Sequence, residues 1–236
     1  MAIKLIIAIF LLMMSCTKHE EQTKSAEINI ETKIIKETIT DENNNIFYID
    51  AQIPTIEGLE LGFEEFIQKW KIYKTELLKT KKSKEYAYEF SYHSDFEIFK
   101  NPDLKITSVL YSQYTIDKYD ANGLTTYHPI NLRGKEKIKL KDIISKDQLD
   151  SLMQVLREQV EKDFRKFGIH SDNQAEFEKE FEKTFKQYKY YFKNNNVVIF
   201  YDPIVIRPHV DEKVEFIFPI DNNTESQETD CPICSK

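Results

Sequence analysis

Residues 104–140 read LKITSVLYSQYTIDKYDANGLTTYHPINLRGKEKIKL, and the fold turns on this stretch. Leu104, Ile106, Leu110, Tyr114 and Ile116 share one parity, with Lys105, Thr107, Gln113 and Thr115 between them. That is the period of a long half-buried strand with one apolar and one mostly wet face. Asn122-Gly123 follows, and both residues tolerate positive φ, so a two-residue type I′ turn is expected there. The return strand runs from Leu124 to Leu132. Arg133-Gly134-Lys135 then gives a second turn, Lys137 to Leu140 a short strand, and Asp142 leads into a helical region.

Upstream, Ile28, Ile30, Thr32 and Ile34 alternate through a strand that closes near Thr40. Ile46 to Ile53 reads as its neighbour across the turn-forming Asp41-Glu42-Asn43-Asn44-Asn45. From Gly58 to Lys79 the period lengthens: Leu59, Phe63, Phe66, Ile67, Trp70, Tyr73 and Leu77 recur at steps of three and four, an amphipathic helix with the only tryptophan on its buried face. Tyr86, Tyr88, Phe90 and Tyr92 return to period two, and Asp95 to Phe99 extends that strand or turns toward the hairpin. An aromatic stripe of this kind is sheet core against a helix, because no basic residues alternate with the rings as a nucleic-acid platform requires.

Downstream, Ser145 and Gln148 form a capping box before Leu149, Leu152, Leu156, Val160, Phe164 and Phe167, a helix running to Gly168. Ser171 and Gln174 repeat the device ahead of Phe177, Phe181 and Phe185. Tyr188 to Phe192 and Val197 to Tyr201 flank Asn194-Asn195-Asn196, and the unbroken run Val197-Val198-Ile199-Phe200-Tyr201 predicts a strand buried on both faces. Val214, Phe216 and Phe218 alternate in a last strand ending at Pro219. The expected fold is α+β, a mostly antiparallel sheet packed against helices in a single domain.

The chain has 236 residues, 41% of them hydrophobic, enough for one ordinary core. Its N-terminus carries a separate signal. Lys4 precedes the apolar run Leu5 to Met14, which is too short to span a bilayer, and Ser15-Cys16 ends it. Leu12-Met13-Met14-Ser15-Cys16 resembles a bacterial lipobox, which implies cleavage before Cys16, lipid on its thiol and anchorage in the cell envelope. Residues 1–15 are thus read as a signal peptide, 16–27 as a lipidated cysteine and polar tether, 28–221 as the envelope domain with halves near 28–100 and 101–221, and 222–236 as a polar tail. Net charge is −7, and losing Lys4 with the leader makes it more negative. That balance disfavours nucleic acid as partner and suits a basic one.

Catalytic signatures are absent from the sequence. His19, His93, His128, His170 and His209 are scattered, with no HExxH; no GxSxG, GxxxxGK[ST] or GxGxxG occurs. No catalytic residue, metal ligand or cofactor is assigned. Cys231-Pro232-Ile233-Cys234 has redox spacing, but it lies in the polar tail instead of at a helix N-terminus after a strand, so a local disulfide or an interchain link is expected.

One resemblance covers roughly Ile28 to Asp221. The tyrosine-rich strand, Tyr127 to Leu132, Gly134, then Ile138-Lys139-Leu140-Lys141-Asp142-Ile143 before a helix, together with Tyr191 to Asp202 and Val214-Glu215-Phe216-Ile217-Phe218-Pro219, resembles a bacterial extracytoplasmic domain of unknown function. That domain forms the extracellular part of lysozyme-sensing anti-sigma factors and an accessory module of some peptidoglycan deacetylases. Ile53-Pro54 and Gly58-Leu59 are similar to its companion N-terminal half. The chain departs from it at Tyr119-Asp120-Ala121-Asn122 and along residues 204–211. The resemblance implies a binding module whose partner is a lysozyme-like muramidase or peptidoglycan. Loops on a rigid sheet commonly carry binding, which selects Asp120, Asn122 and Gly123 in one loop and Arg207, His209 and Asp211 in another. The alternatives are a wall-modifying enzyme with an unrecognised carboxylate pair and a structural lipoprotein linked through Cys231 and Cys234.

Overall fold

A computed structural model describes residues 28–80, 87–118, 120–167, 173–207 and 212–220. The leader, Cys16, the tether, Gly168, Ser171, His209, Asp211, Cys231 and Cys234 lie outside the described residues. The protein is α+β. Strands β1 (Glu31–Thr40) and β2 (Ile46–Thr55) form an antiparallel pair. Helix α1 (Glu64–Thr80) then crosses over to β3 (Glu89–Asn101), which pairs parallel with β2. β4 (Ile106–Asp117), β5 (Leu124–Arg133) and the two-residue β6 (Glu136–Lys137) add antiparallel, completing six strands in sequence order. A 3-10 turn at Leu140–Asp142, α2 (Lys146–Phe167) and α3 (Gln174–Phe185) lead to a second, three-stranded antiparallel sheet of β7 (Lys189–Lys193), β8 (Asn196–Tyr201) and β9 (Val214–Pro219).

These elements stack as α1, large sheet, small sheet, then α2 with α3. Ile67 and Trp70 of α1 pack with Phe47, Ile49, Phe90, Tyr92, Val109 and Tyr111 on one face of the large sheet. Leu110 meets Tyr191, Val198 and Phe200 between the sheets. Leu156, Val160, Phe164, Phe177 and Phe181 cover the other face of the small sheet against Phe192, Val197, Ile199 and Tyr201. β8 is buried on both faces, as its unbroken apolar run requires.

Polar ties cross between the two sheets. Ser108 Oγ donates to Asn131 Oδ1 at 2.6 Å and accepts from the Phe192 amide at 2.9 Å, while Asn131 Nδ2 donates to the Tyr190 carbonyl at 3.2 Å. Each of these buried groups is thereby satisfied where water is excluded.

Several expectations change. β4 is not half wet: Ser108, Val109, Leu110 and Tyr111 are all buried, because α1 covers one face and the small sheet the other. The hairpin turn is longer than two residues. The register Thr115↔Leu124 leaves residues 116–123 between the last paired positions, and Gly123 does not adopt positive φ. Its lack of a side chain instead makes room for the Tyr114 ring, which a Cβ would overlap. Helix α1 starts at Glu64, six residues after Gly58, since Gly58 (φ 70°) and Gly62 (φ 80°) turn the chain first. Tyr73 is 61% exposed, off the buried face. Asn173, rather than Ser171, caps α3 through its Oδ1, which accepts from the amides of Ala175 and Glu176. The short strand is Glu136–Lys137, and the backbone at Leu140 is already in the 3-10 turn. The Ser145–Gln148 box forms as expected, Gln148 N to Ser145 Oγ at 3.3 Å and Ser145 N to Gln148 Oε1 at 3.0 Å.

Candidate functional site

Helix α1 is wider than the stripe it buries. Ile67 and Trp70 face the sheet, and the helix flank beside them carries Phe66, Lys69, Tyr73 and Lys74 over the end of the β4–β5 hairpin. Between that flank and Gln113, Tyr114, Thr115 and residues 120–126 opens a groove of about 990 Å³, with Pro203 and Ile204 at its rim. Its size lies near the upper end of ordinary ligand pockets. Ile204 is 61% exposed and holds φ at 63°, a costly conformation for a β-branched residue.

The lysines of the groove are already engaged. Lys74 forms an ion pair with Asp117 and lies 5.1 Å from the Phe90 ring centre. Lys69 bonds Glu65 one turn back on the exposed helix surface, at 2.9 Å, and holds that carboxyl below its usual range. Beneath the groove, the Tyr92 and Tyr111 hydroxyls meet at 2.8 Å, and Tyr92 also donates to Gln113 Oε1 at 3.2 Å. Burial, reinforced by Tyr111, pushes the Tyr92 hydroxyl far up, so it stays protonated and serves as a donor. The Trp70 ring lies 5.3 Å from the Tyr92 ring, and its Nε1 is buried without a hydrogen-bond partner among the described residues. His128, on β5, stacks on Phe66 with ring centres 4.0 Å apart. Burial, then the positive charge of Lys189, lower its pKa to about 4, so the imidazole is neutral at pH 7.

The sequence-selected residues divide. Asp120, Asn122 and Gly123 line the groove. Arg207 does not: its guanidinium is bound to Asp163 of α2, Nε at 3.0 Å, and lies 5.8 Å from the Phe167 ring centre. The segment beginning at Ile204 therefore contributes Ile204 to the groove and Arg207 to helix packing. Sequence reasoning missed Phe66, Lys69, Tyr73 and Lys74 as one wall and Gln113 and Tyr114 as the other. The helical period assigned Phe66 and Tyr73 to the core together with Ile67 and Trp70, and nothing in the sequence set them apart. Among the described residues, no group of three or more His, Cys, Asp or Glu has an arrangement that would hold a metal ion.

This geometry defines an α+β domain with a side-chain-lined groove. Residues 141–221 match the model of a family described as a protein of unknown function, DUF3298. Among solved structures, a DUF3298-family member from Bacteroides fragilis is similar at 12% identity and a TM-score of 0.48, over 81% of this chain and 90% of that one. No curated protein matches the chain. Within the described residues no helix is long and apolar enough to cross a membrane.

Proposed function

We propose that this protein is a lipid-anchored binding protein of the bacterial cell envelope, tethered through Cys16, whose ligand is a lysozyme-like muramidase or peptidoglycan. The observation that carries the binding reading is the groove of about 990 Å³ that brings the Asp120–Thr125 loop against the aromatic flank of α1. The wall-related partner comes from the resemblance to the domain of lysozyme sensors and deacetylases. Net charge −7 is of the sign that draws a basic lysozyme toward the surface. Asp117 is committed to Lys74, which favours binding over hydrolysis by a carboxylate pair in this groove.

The test is retention of the full chain, purified in detergent, on animal lysozyme at two salt concentrations and on insoluble peptidoglycan. Binding to lysozyme that weakens with salt, or co-sedimentation with peptidoglycan, is expected. Failure of both removes the reading. Release of acetate or reducing ends from peptidoglycan would replace it with the enzyme alternative.

A further inference from the structure

We propose that the groove takes a neutral oligosaccharide, with sugar faces against Tyr73 and hydroxyls held by Gln113, Asp120 and Asn122. This rests on the binding reading above and narrows its ligand from a wall-related partner to one chemistry.

Charge decides against an anion. Lys69 and Lys74, the cations lining the groove, are paired with Glu65 and Asp117, while the carboxylate of Asp120 has no partner among the described residues. Among the described residues, a phosphate-rich or carboxylate-rich ligand would gain a groove cation only by displacing Glu65 from Lys69, and would face the open Asp120 carboxylate. Backbone pairing decides against an extended peptide. β4 is paired on both sides. The outer edge of β5 is closed at Tyr127, whose amide donates to Asp202 Oδ1 at 3.1 Å and whose carbonyl accepts from Lys189 Nζ at 2.6 Å. Strand addition would need those groups free.

The groove does offer uncharged side-chain valences beside exposed rings. Gln113 accepts from Tyr92 through its oxygen, which fixes the amide and leaves its NH₂ without an acceptor among the described residues. The Asn122 amide has no partner among the described residues. Tyr73 is 61% exposed and carries its ring into solvent at the groove wall. A pyranose matches both: its C–H face is apolar and its rim is a ring of hydroxyls that both donate and accept.

The chain's only tryptophan lines this groove, so its emission reports occupancy directly. The full chain in detergent is titrated with tetra-N-acetylchitotetraose and with cellotetraose, both uncharged. A saturable change in emission is expected with at least one. Tyr73→Ala and Asp120→Ala should each weaken it about three- to tenfold, and Ile217→Ser, on the distant β9, should leave it unchanged. No saturable change with either sugar overturns the proposal, as does a response that both groove variants leave intact. If lysozyme or peptidoglycan is retained while neither sugar binds, the binding reading stands and the glycan proposal falls. If a sugar binds with the expected variant pattern but neither wall partner is retained, the glycan site stands and the wall-related reading falls.

Discussion

His128, stacked behind Phe66, and Gly123, in the groove's lining, show how single residues hold this part of the fold. With its pKa moved from 6.5 to about 4 by burial and Lys189, the His128 imidazole binds fewer protons folded than unfolded between those values. Its contribution is intact above pH 6.5 and is lost as pH falls toward 4, on the order of 2 kcal/mol once the roughly 3 kcal/mol of the full shift is discounted for solvent screening of the half-buried ring. Urea unfolding at pH 7.5 and 4.5 should therefore show a smaller acid loss in His128→Phe than in the parent; equal losses would contradict the assignment. At Gly123, a methyl group would enter the Tyr114 ring. Gly123→Ala should cost about 1–3 kcal/mol, and adding Tyr114→Ala should recover most of it. A double variant no better than the sum of the two single ones would mean that the glycine serves something other than that ring.

At the scale of elements, legibility followed burial on one face versus two. β8 was readable because all five of Val197 to Tyr201 are apolar and all five are buried. β4 was not, since Ser108 interrupts its run, and a buried serine looks like a wet position until its partners Asn131 and Phe192 are seen. Ser108→Ala should destabilise the protein by about 1–3 kcal/mol, because the Phe192 amide and the Asn131 oxygen lose their partner in a dry interface; chemical denaturation measures it, and a loss under about 0.5 kcal/mol would show that water replaces the hydroxyl. The groove was half legible. Turn-forming Asp120, Asn122 and Gly123 pointed to one wall, while the opposing Phe66, Lys69 and Tyr73 lie some fifty residues earlier and share a helix period with true core residues. Only tertiary pairing separates the two roles.

For the whole molecule, the segment matched by the family model is not a self-covering unit. Residues 141–221 contain the small sheet and both of its helices, but Tyr191, Val198 and Phe200 find their apolar partners in Leu110, Phe99 and Tyr127 of the large sheet. Expressed alone, that segment should aggregate or unfold without a cooperative transition, as followed by thermal denaturation; a sharp transition like that of the full chain would contradict the layered account. β4 explains why no cleaner division exists. Ile106 enters the helix-side core, Val109 and Tyr111 the α1 side, and Leu110 the layer between. One strand thus belongs to all three apolar clusters, and neither end of the stack can open without exposing part of it. The amide protons of its central residues would then exchange with solvent deuterium only when the entire chain unfolds, and their rate alone would read the global stability of the protein.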